Sequence, residues 1–105
     1  MIHHFKDEEV GFVKQITFEL DKQISNLILL GTIETDNKPF IVIYISKKLT
    51  NDNLDARILI KKLSEYIEGS GGGQNFLSTA GGKNLNGLQL VRKEGKSLLN
   101  DILTK

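Results

Sequence analysis

Apolar residues recur at helical spacing in three separate stretches of the chain. The spacing predicts amphipathic helices over residues 8–24, 53–67 and 86–103. Their apolar positions are Val10, Val13, Ile16, Leu20 and Ile24, then Ala56, Leu59, Ile60, Leu63 and Ile67, and finally Leu88, Val91, Leu98, Leu99 and Ile102. Gly95 interrupts the third helix, where a glycine costs about 1 kcal/mol relative to alanine.

Residues with strong preferences for helix ends flank the second and third helices. We expect Asp52 or Asn53 to cap the start of the second helix. Gly69 follows the end of that helix and suits a left-handed C-terminal cap, which glycine adopts without a Cβ penalty. Asn84 or Asn86 is expected to cap the start of the third helix.

Two apolar runs separated by turn-forming residues predict a β-hairpin. Residues 27–33 form a compact apolar run, and residues 39–46 form a second one that is rich in β-branched and aromatic side chains. The polar residues 34–38 between them form the predicted loop. Because both runs are almost continuously apolar, we expect central strands with at least one face covered by helices. Residues 2–5 predict a short edge strand, and residues 76–80 a further short strand or extended segment.

These elements together predict the fold class. It is a small α/β domain, a two-layer sandwich in which about three helices pack on a mostly antiparallel sheet, with a glycine-rich loop after the second helix. A chain of 105 residues can bury one modest core, so residues 1–105 are assigned to a single domain.

Composition and charge narrow the classes of protein and site. The chain has no cysteine, which excludes disulfides and thiolate metal sites. The longest apolar run, residues 40–45, is too short to span a membrane, and no secretory signal is recognisable, so we expect a cytoplasmic protein. Residues 1–46 carry four basic and seven acidic side chains, a net charge of −3, and residues 47–105 carry ten and six, a net charge of +4. The basic second half is compatible with a polyanionic partner.

Seven of the ten glycines lie close together after the second helix. They are Gly69, Gly71, Gly72, Gly73, Gly81, Gly82 and Gly87. Glycine loses much backbone entropy on folding, so such a cluster needs an explanation. One explanation is steric, in which glycine permits tight turns and positive φ angles. The other is functional, in which exposed backbone N–H groups bind a phosphate or ribose. A phosphate-binding P-loop is excluded because Lys83 is followed by Asn84 instead of Ser or Thr. A dinucleotide fingerprint is excluded because Gln74 occupies a position that requires glycine and the segment follows a helix.

A more specific pattern is present in the same segment. It consists of a triple glycine, a polar pair, an apolar pair, a small-residue step and Ala-Gly-Gly-Lys, carried by Gly71, Gly72, Gly73, Gln74, Ala80, Gly81, Gly82 and Lys83. This pattern, together with the order of predicted helices and strands along nearly the whole chain, resembles the DHH-associated domain. That domain forms the C-terminal end of alanyl-tRNA synthetases and also occurs in DHH-type phosphoesterases. The phosphoesterase branch typically has histidine where this chain has Gln74, and its catalytic aspartates belong to a separate domain. The resemblance therefore favours the synthetase branch.

The resemblance implies a function and a set of partners. The chain would be an accessory tRNA-binding domain, without catalytic residues of its own, and a fragment of a longer alanyl-tRNA synthetase that ligates alanine to its tRNA using ATP. ATP, magnesium and zinc are expected only in other domains of that enzyme. The expected partners are the tRNA for alanine, the other domains of the same enzyme and, in some synthetases, a second copy of the domain. Two alternatives stay open: a phosphoesterase substrate-binding domain, and a dimerisation module that uses the edge strand at residues 2–5.

The glycine segment supplies the main candidates for RNA contacts. Bare backbone N–H groups would approach phosphate, ribose or a base at Gly71, Gly72, Gly73, Gly81 and Gly82. Lys83 would add charge, and Gln74 and Asn75 would hydrogen-bond to sugar or base edges. Further candidates for phosphate contacts are Lys61, Lys62, Arg92, Lys93 and Lys96. Phe76 is a candidate for base stacking and, equally, for a core position beneath the segment.

Overall fold

A single strand and two β-hairpins are each followed by an α-helix along the chain. The computed structural model describes residues 1–24 and 26–104. In these residues the helices are α1 (Val10–Gln23), α2 (Ala56–Leu63) and α3 (Leu88–Leu103), and the strands are β1 (Ile2–Lys6), β2 (Ile28–Thr35), β3 (Lys38–Ile45), β4 (Ser70–Gln74) and β5 (Leu77–Gly81). Short 3-10 turns occupy Lys47–Leu49, Ser64–Ile67 and Leu85–Gly87. Within the described ranges, no helix combines the length and the apolar character of a membrane span.

A five-stranded sheet forms the centre of the described structure, with the strand order β1-β2-β3-β5-β4. β1 runs parallel to β2 and the other neighbours are antiparallel, so the predicted mostly antiparallel sheet is confirmed. β2 and β3 form the predicted hairpin, but Thr35 pairs with Lys38, so the turn is shorter than residues 34–38. Its two residues, Asp36 and Asn37, have φ values of 53° and 60°. Aspartate and asparagine tolerate this left-handed conformation, which matches the twist of a tight hairpin.

Helices cover both faces of this sheet. Side chains alternate along β3, so Ile41, Ile43 and Ile45 point toward α2 and α3. Val42 points to the opposite face, where it packs with Val13 of α1 and with β2. The predicted α/β class with three helices is confirmed, whereas the described residues form three layers in place of the predicted two. The reason is that β2 and β3 are apolar on both faces, and each face needs a helical cover.

The start of α2 differs from the prediction. Asp55 caps the helix, because its carboxylate accepts the backbone N–H of Arg57 at 2.9 Å. The predicted caps, Asp52 and Asn53, are exposed in the loop before it. The prediction was wrong because the loop takes its own turn, in which the Asn51 side chain accepts two backbone N–H groups, and only then reaches the helix.

The segment after α2 ends in a left-handed residue, but this residue is Glu68, with a φ of 53°. The predicted left-handed cap at Gly69 is therefore wrong. Glycine is needed at this position for a different reason, because a Cβ on Gly69 would overlap the carbonyl oxygen of Gly81.

The start of α3 also departs from the predicted side-chain cap. A 3-10 turn precedes the helix, and Gly87 occupies the N-cap position in place of Asn84 or Asn86. The Asn84 side chain donates to the carbonyl oxygen of Tyr66 at 3.2 Å. Asn84 therefore ties the turn before α3 to the turn after α2, a long-range contact that local sequence does not indicate.

Candidate nucleic-acid interface

The glycine-rich segment forms a β-hairpin and not the predicted loop. β4 and β5 pair antiparallel, with Gln74 opposite Leu77 and the turn residues Asn75 and Phe76 between them. β5 confirms the short strand predicted near residues 76–80. β4 lies at the edge of the sheet, and all five of its residues are exposed. The segment therefore presents to solvent a strand whose central residues have no side chains.

Glycine is sterically required at two of the three central positions of β4. A Cβ on Gly71 would overlap the carbonyl oxygen of Thr79, and a Cβ on Gly73 would overlap that of Leu77. Gly73 also has a φ of 153°, which L-residues with side chains rarely adopt. Gly72 differs from both, because a Cβ placed there meets no described atom within 4 Å. Steric fit explains Gly71 and Gly73 and leaves Gly72 without a structural requirement.

A groove runs between one flank of α1 and this hairpin, on the face of the sheet opposite α2 and α3. It consists of two adjoining depressions of about 450 and 320 Å³, and Gly72 and Thr79 line both. Val10 borders the first depression, and Lys14 and Phe18 border the second. The groove thus joins an exposed stretch of backbone to a basic and an aromatic side chain on a helix.

A known family model matches nearly the whole chain. The DHHA1 domain model covers residues 5–101. The chain belongs to the DHHA1 domain family. The resemblance to the DHH-associated domain, which rests on the glycine segment, is therefore confirmed.

Curated relatives and a solved structure are similar to this DHHA1 domain. It is 42% identical over 91 residues to an alanine–tRNA ligase of Cytophaga hutchinsonii, covering 86% of this chain and 10% of that protein. It is 36% identical over 94 residues to an alanine–tRNA ligase of Christiangramia forsetii, covering 89% and 11%. The chain thus spans about a tenth of the length of these relatives. The crystal structure of the C-Ala domain from Aquifex aeolicus alanyl-tRNA synthetase shares the fold, with a TM-score of 0.80 at 23% identity over 93% of this chain and 89% of that one.

The groove of the DHHA1 domain brings part of the predicted contact set together. The predicted residues that line it are Gly71, Gly72, Gly73, Gln74, Phe76 and Gly81. Asn75 lies in the adjacent turn, where its carbonyl oxygen accepts the backbone N–H of Ala56 at 2.8 Å. The hairpin turn is thereby fastened to the start of α2, which holds the rim of the groove in place.

Gly82 and Lys83 lie beyond the end of β5. Their backbone N–H groups already donate to the carbonyl oxygens of Pro39 and Ile67, at 3.2 and 2.8 Å. A Cβ on Gly82 would overlap the backbone of Ile67, so this glycine has a steric reason. What Lys83 retains for a ligand is its exposed side chain.

The basic candidates on the helices lie on the other side of the sheet from the groove. Lys61 and Lys62 on α2 and Lys93 and Lys96 on α3 are exposed. Arg92 is half-buried and already engaged, because its Nη1 donates to Thr32 Oγ1 and to His4 Nδ1, both at 2.9 Å. The predicted contact residues are therefore divided between the two faces of the domain.

Three residues near the groove were missed by the sequence analysis. Lys14 and Phe18 on α1 line it, and Phe18 is 41% exposed although it is aromatic. Lys47 places its Nζ 4.6 Å from the centre of the Phe76 ring, next to the groove. The usable signal was that Phe18 follows Lys14 by one helical turn and lies off the predicted apolar face of the helix.

A polar network closes the far end of α1 against β3. Ser46 Oγ donates to the Asp21 carboxylate at 2.6 Å and accepts the backbone N–H of Leu27 at 2.8 Å. The bond from Ser46, together with the neighbouring Tyr44 hydroxyl, holds the pKa of Asp21 below its usual value. Burial and the Asp21 carboxylate raise the pKa of Tyr44 to about 12. Asp21 is therefore ionised and committed to structural hydrogen bonds at neutral pH.

The two adjacent histidines lie on opposite faces of β1, as strand alternation predicts. The His3 ring packs edge-on against Phe5, with ring centres 4.6 Å apart. His4 Nδ1 lies 2.8 Å from Thr32 Oγ1 on the other face. Across residues 1–24 and 26–104, no three His, Cys, Asp or Glu side chains are grouped as a metal site requires.

Proposed function

We propose that this DHHA1 domain is the tRNA-binding accessory domain of an alanine–tRNA ligase that acts in the cytoplasm. The longer enzyme would join alanine to its tRNA using ATP, with ATP, magnesium and zinc bound in its other domains. Support comes from the two ligases that match most of this chain at 42% and 36% identity. The partners of the domain would be the tRNA for alanine and the other domains of the same enzyme.

One observation carries the binding role: an exposed edge strand whose three central residues are glycines borders an open groove. Backbone N–H groups on such a strand can donate directly to phosphate or ribose oxygens, because no side chain keeps the RNA at a distance. Gly72 is the central residue of this strand, and its missing Cβ has no steric reason in the fold. Close approach of a ligand would supply that reason.

Charge near the hairpin supports a polyanionic ligand. Lys14 lines the groove, Lys47 lies against Phe76, and Lys83 follows the strand that pairs with β4. Each lysine that neutralises a phosphate releases counterions, so binding of this kind weakens as salt rises. Lys61, Lys62 and Lys93 lie on the other face and would contact a large RNA only where it wraps around the domain.

The test is a salt-dependent titration of the 105-residue chain against the tRNA for alanine, with a non-cognate tRNA and a dinucleotide as controls. A Gly72→Asp, Lys83→Ala double variant, checked for folding by circular dichroism, should bind tRNA at least about tenfold more weakly, because it adds a carboxylate to the strand and removes a cation. A well-folded chain that binds no tRNA would overturn the proposal. Binding to the dinucleotide alone would point to the phosphoesterase alternative, and dimers without RNA affinity would point to the dimerisation module.

A further inference from the structure

One flank of α1 borders a row of three surface depressions, which together are called the channel below. Val10, Lys14, Phe18 and Asp21 share this flank, because they are spaced by four, four and three residues. The first two depressions, of about 450 and 320 Å³, share Gly72 and Thr79, and a third of about 260 Å³ borders the flank at Asp21. At a rise of 1.5 Å per residue, the flank from Val10 to Asp21 is about 17 Å long. The channel therefore has room for more than one small group.

The walls of the channel carry the two side-chain types that bind unpaired nucleotides. Phe18 contacts the ring of Tyr44 edge-on, at 5.9 Å and 90°, and keeps 41% of its surface exposed. Phe76 lines the same depression from the hairpin side. Stacking of bases on aromatic rings is tolerant of sequence, since every base has a π-face.

Cations stand at intervals along the same channel. Lys14 lines the middle depression, and Lys47 and Lys48 line the far one. The carboxylate that also borders the far depression, Asp21, accepts the hydroxyl of Ser46 at 2.6 Å. A groove that alternates cations with aromatic rings matches the backbone and the bases of a single strand.

The dimensions select a single strand over a duplex. Depressions of a few hundred Å³ are the size of small-ligand sites. Gly72 lines the two larger depressions, and a Cβ placed there meets no described atom within 4 Å. The absence of a side chain at this position leaves both depressions open beside the strand.

We infer that this channel binds unpaired nucleotides of an RNA loop or single strand. Phe18 stacks on a base, Lys14 and Lys47 contact phosphates, and Gly72 admits the nucleotide to the channel. The inference rests on the proposed function and adds to it the class of RNA structure that the domain recognises and the contacts made by α1.

Matched variants on α1 test the inference with three ligands: the tRNA for alanine, a labelled single-stranded uridine hexamer and an RNA duplex of the same length. Phe18→Ala should weaken binding of both the tRNA and the hexamer by roughly tenfold, through loss of one stacked base. Phe12→Ala is its control, because Phe12 is 47% exposed on the same helix and lies outside the channel. Lys14→Gln should lower the slope of log affinity against log salt by about 1, whereas Lys22→Gln should not.

A second variant guards against loss of folding at Phe18. A Cβ at position 72 meets no described atom within 4 Å, so Gly72→Val should keep the thermal midpoint and weaken hexamer binding. Affinity for tRNA that is unchanged by Phe18→Ala, Lys14→Gln and Gly72→Val alike would overturn the channel while leaving the proposed function intact. Preference for the duplex over the hexamer would overturn it in the same way. A folded wild-type chain that binds neither tRNA nor hexamer would overturn both proposals.

Discussion

Neighbouring glycines of the edge strand face different surroundings. A Cβ on Gly71 would overlap the carbonyl oxygen of Thr79, whereas a Cβ on Gly72 would stand in open space beside the groove. The difference follows from alternation along the strand and from the close approach of β4 to β5. Gly71 and Gly72 are adjacent glycines, but packing against β5 explains only the glycine at position 71.

We predict that Gly71→Ala and Gly72→Ala differ in stability. Gly71→Ala forces the hairpin apart and should lower the free energy of unfolding by about 1–3 kcal/mol, the range typical of overpacking. Gly72→Ala should stay within about 0.5 kcal/mol of wild type, as exposed substitutions usually do. Urea denaturation followed by circular dichroism measures both. Equal losses at the two positions would contradict the steric assignment.

His4 is held in its neutral form by its surroundings. The Arg92 guanidinium donates to Nδ1 at 2.9 Å, so this nitrogen carries a lone pair. Burial, and after it the Arg92 charge, lower the pKa of His4 below its ordinary value of 6.5. Glu34, His3 and Lys6 also act on the ring, the first opposing the shift and the other two adding to it. Protonation would set two cations against each other on either side of Thr32.

We predict that this cluster makes the chain less stable in mild acid. The unfolded chain binds a proton at His4 more readily than the folded chain, so the contribution of His4 is present above its unfolded pKa of about 6.5 and is lost as pH falls below it. Unfolding free energies measured between about pH 7.5 and 5 should decline less steeply for His4→Gln than for wild type. Matching slopes for His4→Gln and wild type would contradict the assignment.

At the scale of elements, the packing of α3 on β2 explains a glycine that local preference disfavours. Gly95 is buried in the middle of α3, and a Cβ there would overlap the side chain of Leu30 on β2. Close approach of helix and sheet offsets the poor helix propensity of glycine. Gly11 in α1 has no such neighbour, because nothing described lies within 4 Å of its Cβ position.

We predict that replacing Gly11 in α1 raises the stability of the chain and that replacing Gly95 in α3 lowers it. Gly11→Ala should stabilise the chain by up to about 1 kcal/mol, the difference in helix propensity. Gly95→Val should destabilise it by about 1–3 kcal/mol, because the larger side chain displaces Leu30 and separates α3 from the sheet. Thermal melts of both variants, run beside wild type, measure the two shifts. A stabilised Gly95→Val variant would show that α3 packs less closely than the structure indicates.

At the scale of the whole molecule, both faces of one sheet support apolar clusters. The larger cluster lies under α2 and α3, and smaller ones lie under α1. Adjacent residues of β3, such as Ile43 and Val42, belong to opposite faces. β2 and β3 contribute side chains to the clusters on both faces, so loss of the helices on one face would also weaken the packing on the other. The stabilities of the clusters are therefore coupled through β2 and β3.

We predict that both faces unfold in a single transition. Tyr44 packs under α1, and Tyr66 packs against the larger cluster, so each tyrosine reports on one face. Tyrosine fluorescence of Tyr66→Phe and of Tyr44→Phe, each compared with circular dichroism of the same variant, should give one shared urea midpoint per variant. A fluorescence midpoint separate from that of circular dichroism would mean that the α1 layer opens independently.

Sequence alone determined the features that depend on short-range pattern and composition. Helical periodicity located all three helices, the apolar runs located the β2–β3 hairpin, and residues 2–5 were recognised as an edge strand. The glycine motif indicated the DHH-associated domain family, and the family model that matches residues 5–101 confirms it. Each of these features depends on residues within a few positions of one another, so a single segment of the chain is sufficient to predict it.

Only the tertiary structure decided how distant segments meet. It placed α1 on the opposite face from α2 and α3, turned the glycine loop into an edge strand, and engaged Arg92 with Thr32 and His4. It also brought Lys14 and Phe18 beside Gly72, more than fifty positions further along the chain. The physical reason is that these results depend on which surfaces of distant segments pack together. Because β2 and β3 are almost continuously apolar, both of their faces carry apolar side chains that helices can cover. Local pattern leaves that choice open, and packing of the complete domain makes it.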